Sequence, residues 1–118
     1  MQGLEILDYN GAGYNATFKF NSWIVAYLNY EPRFDRETLD KLERHNKTDE
    51  VFILLEGEAT LLVGEKGEEV KMEKFKQHVV KKGVWHNIIV SKDAKVIVVE
   101  NSDTSKENSD YMVFSAKK

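Results

Sequence analysis

Apolar residues occur along the chain in short runs that are separated by polar turns. Residues 23–30 are rich in β-branched and aromatic side chains, and the run ends before Pro32, which cannot donate a backbone hydrogen bond to a sheet. Residues 51–55 form a nearly continuous apolar run that Gly57 closes. A run of this length and β-branched content favours a strand that is buried on both faces. The pattern therefore predicts a chain built mainly from strands.

A hairpin is predicted after Gly57, because two short runs at 59–63 and 69–72 flank a turn at 64–67. The polar stretch 101–110 is interpreted as a loop. Many short strands with turn signals between them are typical of a β-sandwich or β-barrel. Further candidate strands lie at 78–80, 85–90, 96–100 and, as a last addition, 111–114.

One segment departs from the strand pattern. Leu39 and Leu42 have helical spacing, and Asp35 is a candidate N-cap. Residues 35–42 are therefore expected to form at most a short helical turn, with a polar loop as the alternative. No repeat is visible, and 118 residues fit one domain, so a single domain over 1–118 is expected.

Composition and charge argue against several kinds of partner and site. The net charge of −3 is too small to indicate a nucleic acid or an acidic membrane surface. The absence of cysteine excludes disulfides, a thiolate nucleophile and a cysteine zinc site. The sequence shows neither a signal-peptide pattern nor an apolar run long enough to cross a bilayer. We therefore expect a cytoplasmic protein without nucleic-acid or membrane partners.

The stretch from residue 43 to residue 57 carries the candidate chemistry. Side chains alternate across a strand, so Glu43 and His45 are expected to face the same way. Glu50 begins the next predicted strand, and His86 stands far downstream on another one. Four groups that can bind a divalent cation are therefore expected to converge inside a closed sheet.

The spacing of these residues resembles two motifs of the cupin superfamily. His45-x4-Glu50-x6-Gly57 is similar to the second half of the first motif, Gly-x5-His-x-His-x3–4-Glu-x6-Gly, and 83–86 are similar to the Gly-x2-His part of the second. The resemblance spans about residues 43–90. It implies an all-β fold, the cupin-type double-stranded β-helix or jelly-roll barrel, although one fold hosts many activities.

The resemblance also implies a metal site. Cupins usually bind a metal through three histidines and a glutamate, at positions that here hold Glu43, His45, Glu50 and His86. Glu43 thus replaces the first histidine, and a set of two histidines and two carboxylates favours Mn, Fe(II) or Zn.

The motifs are incomplete. Where the family has two glycines, a proline and an asparagine, this chain has Glu37, Phe75, Lys81 and Val90. An alternative register places His45 in the first histidine position and Lys47 in the second, so that the ammonium group of Lys47 pairs with Glu50 in place of a cation.

Simpler interpretations exist for each residue. A single histidine such as His45 or His86 is more often structural than a ligand, and Glu43 beside Arg44 could form a surface ion pair. His78 has no motif support. Three further residues are assigned to ligand binding from strand parity and their neighbours alone: Trp85, Glu100 and Tyr27.

Three functions stay open from the sequence. The resemblance implies first a metal-dependent isomerase, decarboxylase or dioxygenase that acts on a sugar or organic acid. The second is a metal-free module that binds a small molecule in the same cavity. The third is a structural or regulatory dimer with little chemistry in the barrel. The resemblance implies a homodimer, since small cupins commonly dimerise, and the strand that carries Trp23 and Tyr27 is the candidate contact.

Overall fold

The computed structural model describes residues 2–104 and 106–118. In these residues ten strands form two five-stranded sheets, and every pair of neighbouring strands is antiparallel. No helix in the described part of the chain is long and apolar enough to span a membrane. The strands are β1 Tyr14–Phe20, β2 Trp23–Asn29, β3 Lys41–His45, β4 Glu50–Glu56, β5 Ala59–Val63, β6 Glu68–Lys71, β7 Gln77–Val80, β8 His86–Val90, β9 Lys95–Asn101 and β10 Ser109–Val113.

The two sheets interleave distant parts of the chain. The first sheet has the order β1-β2-β9-β4-β7, and the second has the order β10-β3-β8-β5-β6. The main hydrophobic core lies between the sheets, because alternate residues of the central strands are buried on the facing sides. It includes Leu28, Phe52, Leu54, Ile88 and Val98. This arrangement confirms the all-β jelly-roll fold that the sequence predicted.

A second apolar cluster covers the opposite side of the second sheet. It contains Leu39, Leu42 and Leu62 together with Ala116 from the end of the chain. Leu42 and Leu62 are fully buried although they point away from the space between the sheets. The second sheet is therefore packed on both faces.

The helical turn expected over 35–42 is only partly present. A 3-10 helix occupies Pro32–Phe34, and a single turn follows in which the amide of Leu39 donates to the carbonyl of Asp35 at 2.8 Å. Asp35 caps this turn, since its Oδ1 accepts a hydrogen bond from the amide of Glu37 at 3.0 Å. The residues from Lys41 onwards belong to β3. The spacing of Leu39 and Leu42 does not reflect a helix. Both side chains are buried in the second apolar cluster, Leu39 from the turn and Leu42 from β3.

Two other boundaries differ from the sequence-based expectation. The sequence did not predict β1, the edge strand of the first sheet. The predicted loop 101–110 is shorter than expected, because Asn101 ends β9, a 3-10 helix occupies Lys106–Asn108, and β10 begins at Ser109. Ser105, within the same predicted loop, lies outside the described residues.

Gly57 makes the turn between β4 and β5 possible. Its φ angle is +74°, a left-handed conformation that residues with a side chain rarely adopt. A Cβ atom at this position would lie 2.7 Å from the Cα atom of Ala94. The glycine of the sequence motif is therefore required both by its backbone conformation and by the neighbouring chain.

Candidate functional site

The two buried histidines and a buried glutamate meet between the sheets. His86 begins β8 and His45 ends β3 in the second sheet, whereas Glu50 begins β4 in the first. Oε1 of Glu50 lies 3.1 Å from Nε2 of His86 and 3.4 Å from Nε2 of His45. The two imidazole rings meet edge to face, with their centres 5.2 Å apart. These three side chains are 8% exposed or less, so their charges must be balanced locally.

Glu43 completes this group from the strand next to His86. The two residues are directly opposite each other in the β3–β8 pair. Oε1 of Glu43 lies 3.8 Å from Nε2 of His45, and its side chain is 31% exposed. One potential ligand atom from each of Glu43, His45 and His86 lies within 4.8 Å of the others. The structure thus brings together all four side chains that the sequence proposed as metal ligands.

The outer nitrogen of each histidine is already engaged. Nδ1 of His86 lies 3.0 Å from the carbonyl oxygen of Val84, and Nδ1 of His45 lies 2.8 Å from Oγ of Ser109. A carbonyl oxygen can only accept, so Nδ1 of His86 carries a proton. Partners of this kind fix the orientation of a metal-binding histidine and leave Nε2 for the ion.

The surroundings of the site favour the ionised form of Glu50 and the protonated form of His86. Burial works against ionisation of Glu50, but hydrogen bonds with His45, His86 and Glu100 hold its pKa well below the ordinary value. Burial alone would lower the pKa of His86, but the hydrogen bond and the charge of Glu50 outweigh it and raise that pKa. In the metal-free protein, Glu50 is therefore an anion beside a histidine that readily takes a second proton.

The donor set suits a divalent transition metal. Imidazole nitrogens and carboxylate oxygens are ligands of Mn, Fe(II) and Zn. Three of the four groups are held on neighbouring strands of one sheet, and the fourth approaches from the facing sheet. The described residues therefore contain a cluster of metal-ligand side chains whose outer partners are in place.

A cavity of about 240 Å³ opens next to these side chains. Part of its wall is apolar and comes from Leu28, Phe34, Phe52, Ile88 and Val98. Such a volume is suited to a small molecule, and a wall that combines apolar surface with a few converging polar groups is typical of a ligand site.

Glu100 and Tyr14 form the polar wall of the cavity opposite the histidines. The hydroxyl of Tyr14 donates a hydrogen bond to Oε1 of Glu100. Burial and a hydrogen bond to Glu50 raise the pKa of Glu100 to about 8, so this carboxyl group is largely protonated at neutral pH. Tyr14 therefore donates to Glu100, and the protonated Glu100 in turn donates to Glu50.

Of the three residues assigned to ligand binding, Glu100 lines the cavity. Trp85 and Tyr27 lie elsewhere. Trp85 packs against the second apolar cluster, with the guanidinium carbon of Arg44 4.6 Å from its ring centre. Tyr27 is on the outer side of the first sheet, where Nζ of Lys95 lies 5.6 Å from its ring centre.

Strand parity explains these placements. Trp85 precedes His86, and Tyr27 lies between two core residues of β2, so both side chains point to the opposite side from the cavity. Tyr14 was not singled out from the sequence, because β1 was not predicted. Its alternation of polar and apolar residues over 14–20 is the signal that could have identified the strand.

Lys47 and His78 are outside the group. Lys47 is exposed and lines a separate surface depression together with Lys81 and Lys82. Nε2 of His78 accepts a hydrogen bond from the amide of Glu73 at 3.3 Å, on the far edge of the first sheet. Neither residue lines the cavity beside His45 and His86.

Comparison with solved structures gives the same fold. Pac13 from Streptomyces, solved with uridine and described as a nucleoside dehydratase, superposes with a TM-score of 0.65 at 11% identity, over 91% of this chain and 84% of the other. A cupin-2 domain protein from Shewanella frigidimarina has a TM-score of 0.61 at 20% identity, covering 79% of this chain and 84% of the other. The Fe(II) form of HppE has a TM-score of 0.57 at 16% identity, with 86% and 62% coverage.

Sequence comparison identifies the family. No curated protein sequence is significantly similar to the chain. Residues 33–100, however, match the family described as Cupin domain. The matched region begins in the 3-10 helix and ends at Glu100, so it includes the two histidines, the three buried or half-buried glutamates of the site and the turn at Gly57. The chain belongs to the cupin family.

Proposed function

We propose that this protein binds one divalent metal ion through His45, His86 and Glu43, with Glu50 as the fourth group, and that it binds a small polar ligand in the adjoining cavity. The observation that carries the proposal is the orientation of the two histidines. Both Nδ1 atoms have partners outside the site, and both Nε2 atoms point at the same carboxylate oxygen of Glu50.

This orientation creates a need for positive charge. Since Nδ1 of His86 holds a proton, a neutral His86 presents a lone pair from Nε2 to Oε1 of Glu50, 3.1 Å away. Two acceptors at that distance repel each other unless a proton or a cation lies between them. The carboxylate of Glu43 adds further negative charge at the same place. A divalent cation would neutralise both carboxylates and satisfy both lone pairs.

The metal would polarise a carbonyl or hydroxyl group of the ligand or activate a water molecule. The chain's own residues have separate roles. The apolar wall from Phe52, Ile88 and Val98 shields the site from water. Once a metal holds Glu50, the protonated Glu100 beside Tyr14 would release its hydrogen bond to Glu50 and donate to the ligand instead. A sugar or an organic acid fits this combination. An isomerase, decarboxylase or dioxygenase reaction would use it.

Two proteins of the same fold have been solved with a small polar ligand or with a metal ion. Pac13 was solved with uridine and HppE with Fe(II). At such low sequence identity the similarity shows the fold alone. The ligand class therefore follows from the cavity of this chain.

A metal-free function is the second candidate, and one observation favours it. Hydrogen bonds from Tyr14 to Glu100, from Glu100 to Glu50 and from a protonated His86 to Glu50 form a continuous network without any metal. In that case His86 would hold the second proton, and the network would bind or protonate a small molecule directly.

Titration with Mn(II), followed by the electron paramagnetic resonance signal of the free ion, tests the proposal. We expect one site per chain. His86→Ala and Glu50→Gln should each weaken Mn(II) binding by at least about 100-fold, and Glu43→Ala by less, because Glu43 is more exposed. Equal losses would make Glu43 an equal ligand.

His78→Ala is the matched control, because it removes the third histidine of the chain, which lies outside the site. It should leave Mn(II) binding unchanged. Wild-type protein that takes up no Mn(II), Fe(II) or Zn(II) would refute the metal proposal and favour the metal-free network.

A further inference from the structure

Arg33 lies at the open edge of the cavity. It is the only lysine or arginine among the described residues that line the cavity wall. Its side chain is 60% exposed, so it stands at the mouth, whereas His45 and His86 are buried deeper in the barrel. Neither the metal-ligand cluster nor the hydrogen bonds of Glu100 involve this cation. Its charge at the entrance is therefore available to a ligand.

Two contacts hold the guanidinium group of Arg33 in one orientation. Its central carbon lies 4.6 Å from the ring centre of Phe34, a buried residue of the cavity wall. Its Nε donates a hydrogen bond to Oε1 of Glu31. The 3-10 helix keeps the three residues together, because the amide of Phe34 donates to the carbonyl of Glu31 at 2.9 Å. The guanidinium plane is therefore largely preorganised before a ligand binds.

Gly13 leaves room for the side chain of Glu31. A Cβ atom at residue 13 would lie 2.6 Å from Oε2 of that carboxylate. The backbone of Gly13 is fixed, since its amide donates to the carbonyl of Tyr30 at 3.3 Å and its carbonyl accepts from the amide of Asn29 at 3.0 Å. Glu31 is thus packed against the chain that precedes β1, and its carboxylate in turn orients Arg33.

The terminal nitrogens of Arg33, Nη1 and Nη2, have no hydrogen-bond partner among the described residues, because Glu31 is bound through Nε alone. Arginine binds a carboxylate through two parallel hydrogen bonds from one edge of its planar group. The pair of terminal nitrogens forms such an edge. It is therefore free to bind an anionic group of a ligand.

The other polar side chains of the wall are already engaged. Outside the metal-ligand cluster these are Tyr14, Asn87, Glu100 and Thr104. Tyr14 donates to Glu100, and the hydroxyl of Thr104 lies 2.6 Å from that of Thr48. The amide nitrogen of Asn87 donates to a carbonyl of β3 at 2.8 Å, and its Oδ1 accepts from a backbone amide of β8 at 2.8 Å. Arg33 thus supplies donors that no protein group already uses.

We propose that the cavity binds a carboxylic acid whose carboxylate accepts hydrogen bonds from Nη1 and Nη2 of Arg33, with the rest of the ligand extending toward His45 and His86. The assignment rests on the proposed function, because it takes this cavity as the ligand site. It selects an organic acid or a sugar acid over a neutral sugar. A neutral ligand could accept a hydrogen bond from Arg33, but it would not compensate the charge.

The charges around the mouth favour a carboxylate over a phosphate ester. Glu31 already offsets part of the charge of Arg33, and the described wall has no second lysine or arginine. A carboxylate carries one negative charge, whereas a phosphate monoester carries about −1.5 to −2 at neutral pH. At the inner end, a divalent ion would offset the carboxylates of Glu43 and Glu50. The mouth can therefore balance one negative charge and not two.

Calorimetric titration of the Mn(II)-loaded full chain with succinate and glutarate, each compared with its own monoamide, tests the proposal. The two members of a pair have nearly the same shape and differ by one carboxylate. We expect at least one diacid to bind about tenfold more tightly than its monoamide, because only the diacid can pair with Arg33 and still place a carboxylate at the inner end. Arg33→Gln should abolish this preference.

Arg36→Gln is the matched control, because it removes the same charge elsewhere. Nη1 and Nη2 of Arg36 each lie 2.8 Å from a carboxylate oxygen of Glu69, and Arg36 does not line the cavity. This variant should keep the preference for the diacid. No preference for either diacid in wild-type protein, or a preference that Arg33→Gln retains, would overturn the proposal. A preference that Arg36→Gln loses equally would reflect overall charge and would also overturn it.

Mn(II) titration of the same variant separates this proposal from the metal proposal. Arg33→Gln should bind Mn(II) as tightly as wild-type protein, since Arg33 is outside the metal-ligand cluster. If wild-type protein takes up no metal, the diacid titration is made on the metal-free protein. A preference that depends on Arg33 would then support the carboxylate site although the metal proposal fails. Mn(II) binding without Arg33-dependent binding of a diacid would refute the carboxylate site and leave the metal proposal intact.

Discussion

Nε2 of His86 lies 3.1 Å from Oε1 of Glu50, across the space between the two sheets. The same imidazole holds a proton on Nδ1, which faces the carbonyl oxygen of Val84 at 3.0 Å. The contact between His86 and Glu50 therefore needs either a second proton on the ring or a metal ion. A proton and a metal ion therefore compete for Nε2 of His86.

Metal affinity should rise with pH. A metal ion requires the neutral form of His86 at Nε2, whereas Glu50 raises the pKa of this histidine above its ordinary value of 6.5. Below that raised pKa, metal binding must displace one proton, so the Mn(II) association constant should increase about tenfold per pH unit. Above it, the dependence should level off. Calorimetric titration between pH 5.5 and 8.5 measures this, and an affinity independent of pH would contradict the role of His86.

Ser109→Ala should weaken metal binding without removing a ligand. Oγ of Ser109 lies 2.8 Å from Nδ1 of His45 and orients the ring from β10. Loss of an outer partner of this kind typically lowers metal affinity by about 10–100-fold. Mn(II) titration should show this loss, while the melting temperature of the metal-free protein changes little. Unchanged affinity would mean that the strand alone positions His45.

Tyr14→Phe should impair binding of the organic ligand and leave metal binding intact. The hydroxyl of Tyr14 lines the cavity and donates to Glu100, which is not among the proposed ligands. A thermal-shift screen of sugars, nucleosides and organic acids should identify compounds that stabilise wild-type protein. The stabilisation by the best compound should fall in Tyr14→Phe.

Tyr27→Phe is the matched control for that screen. Tyr27 lies on β2, but its hydroxyl is outside the cavity, 3.4 Å from the carbonyl oxygen of Leu7. A compound whose effect is lost in Tyr27→Phe and kept in Tyr14→Phe would place the ligand site on the outer face.

Gly57→Ala should destabilise the fold through the turn after β4. Both the left-handed backbone and the close approach of Ala94 oppose a side chain at this position. Together they should cost about 1–3 kcal/mol in the free energy of unfolding. Gly64→Ala is the control, because Gly64 has a φ of +87° but no atom within 4 Å of the added Cβ. Urea unfolding should give a smaller loss for Gly64→Ala, and equal losses would show that only the backbone angle matters.

The sequence predicted which four side chains converge better than it predicted the cavity around them. Glu43, His45, Glu50 and His86 could be found because each stands at a motif spacing and because strand parity fixes which residues face inward. Trp85 was assigned to the cavity because of its neighbour His86. It faces the other way, since consecutive residues of an extended chain alternate.

Long-range packing explains what sequence patterns could not predict. Tyr14 reaches the cavity only because β1 pairs with β2, and that pairing is not visible from either segment alone. The apolar run 51–55 was expected to be buried on both faces. Phe52 and Leu54 are buried in the core, but Val51 and Ile53 are half-buried on the outer face of the first sheet.

Elemental analysis of the protein purified without chelators tests the central claim most directly. We expect about one equivalent of Mn, Fe or Zn per chain, since two histidines and two carboxylates converge in the barrel. The metal should be absent from His86→Ala and retained in His78→Ala. Wild-type protein that contains no metal and takes up none on titration would contradict the account.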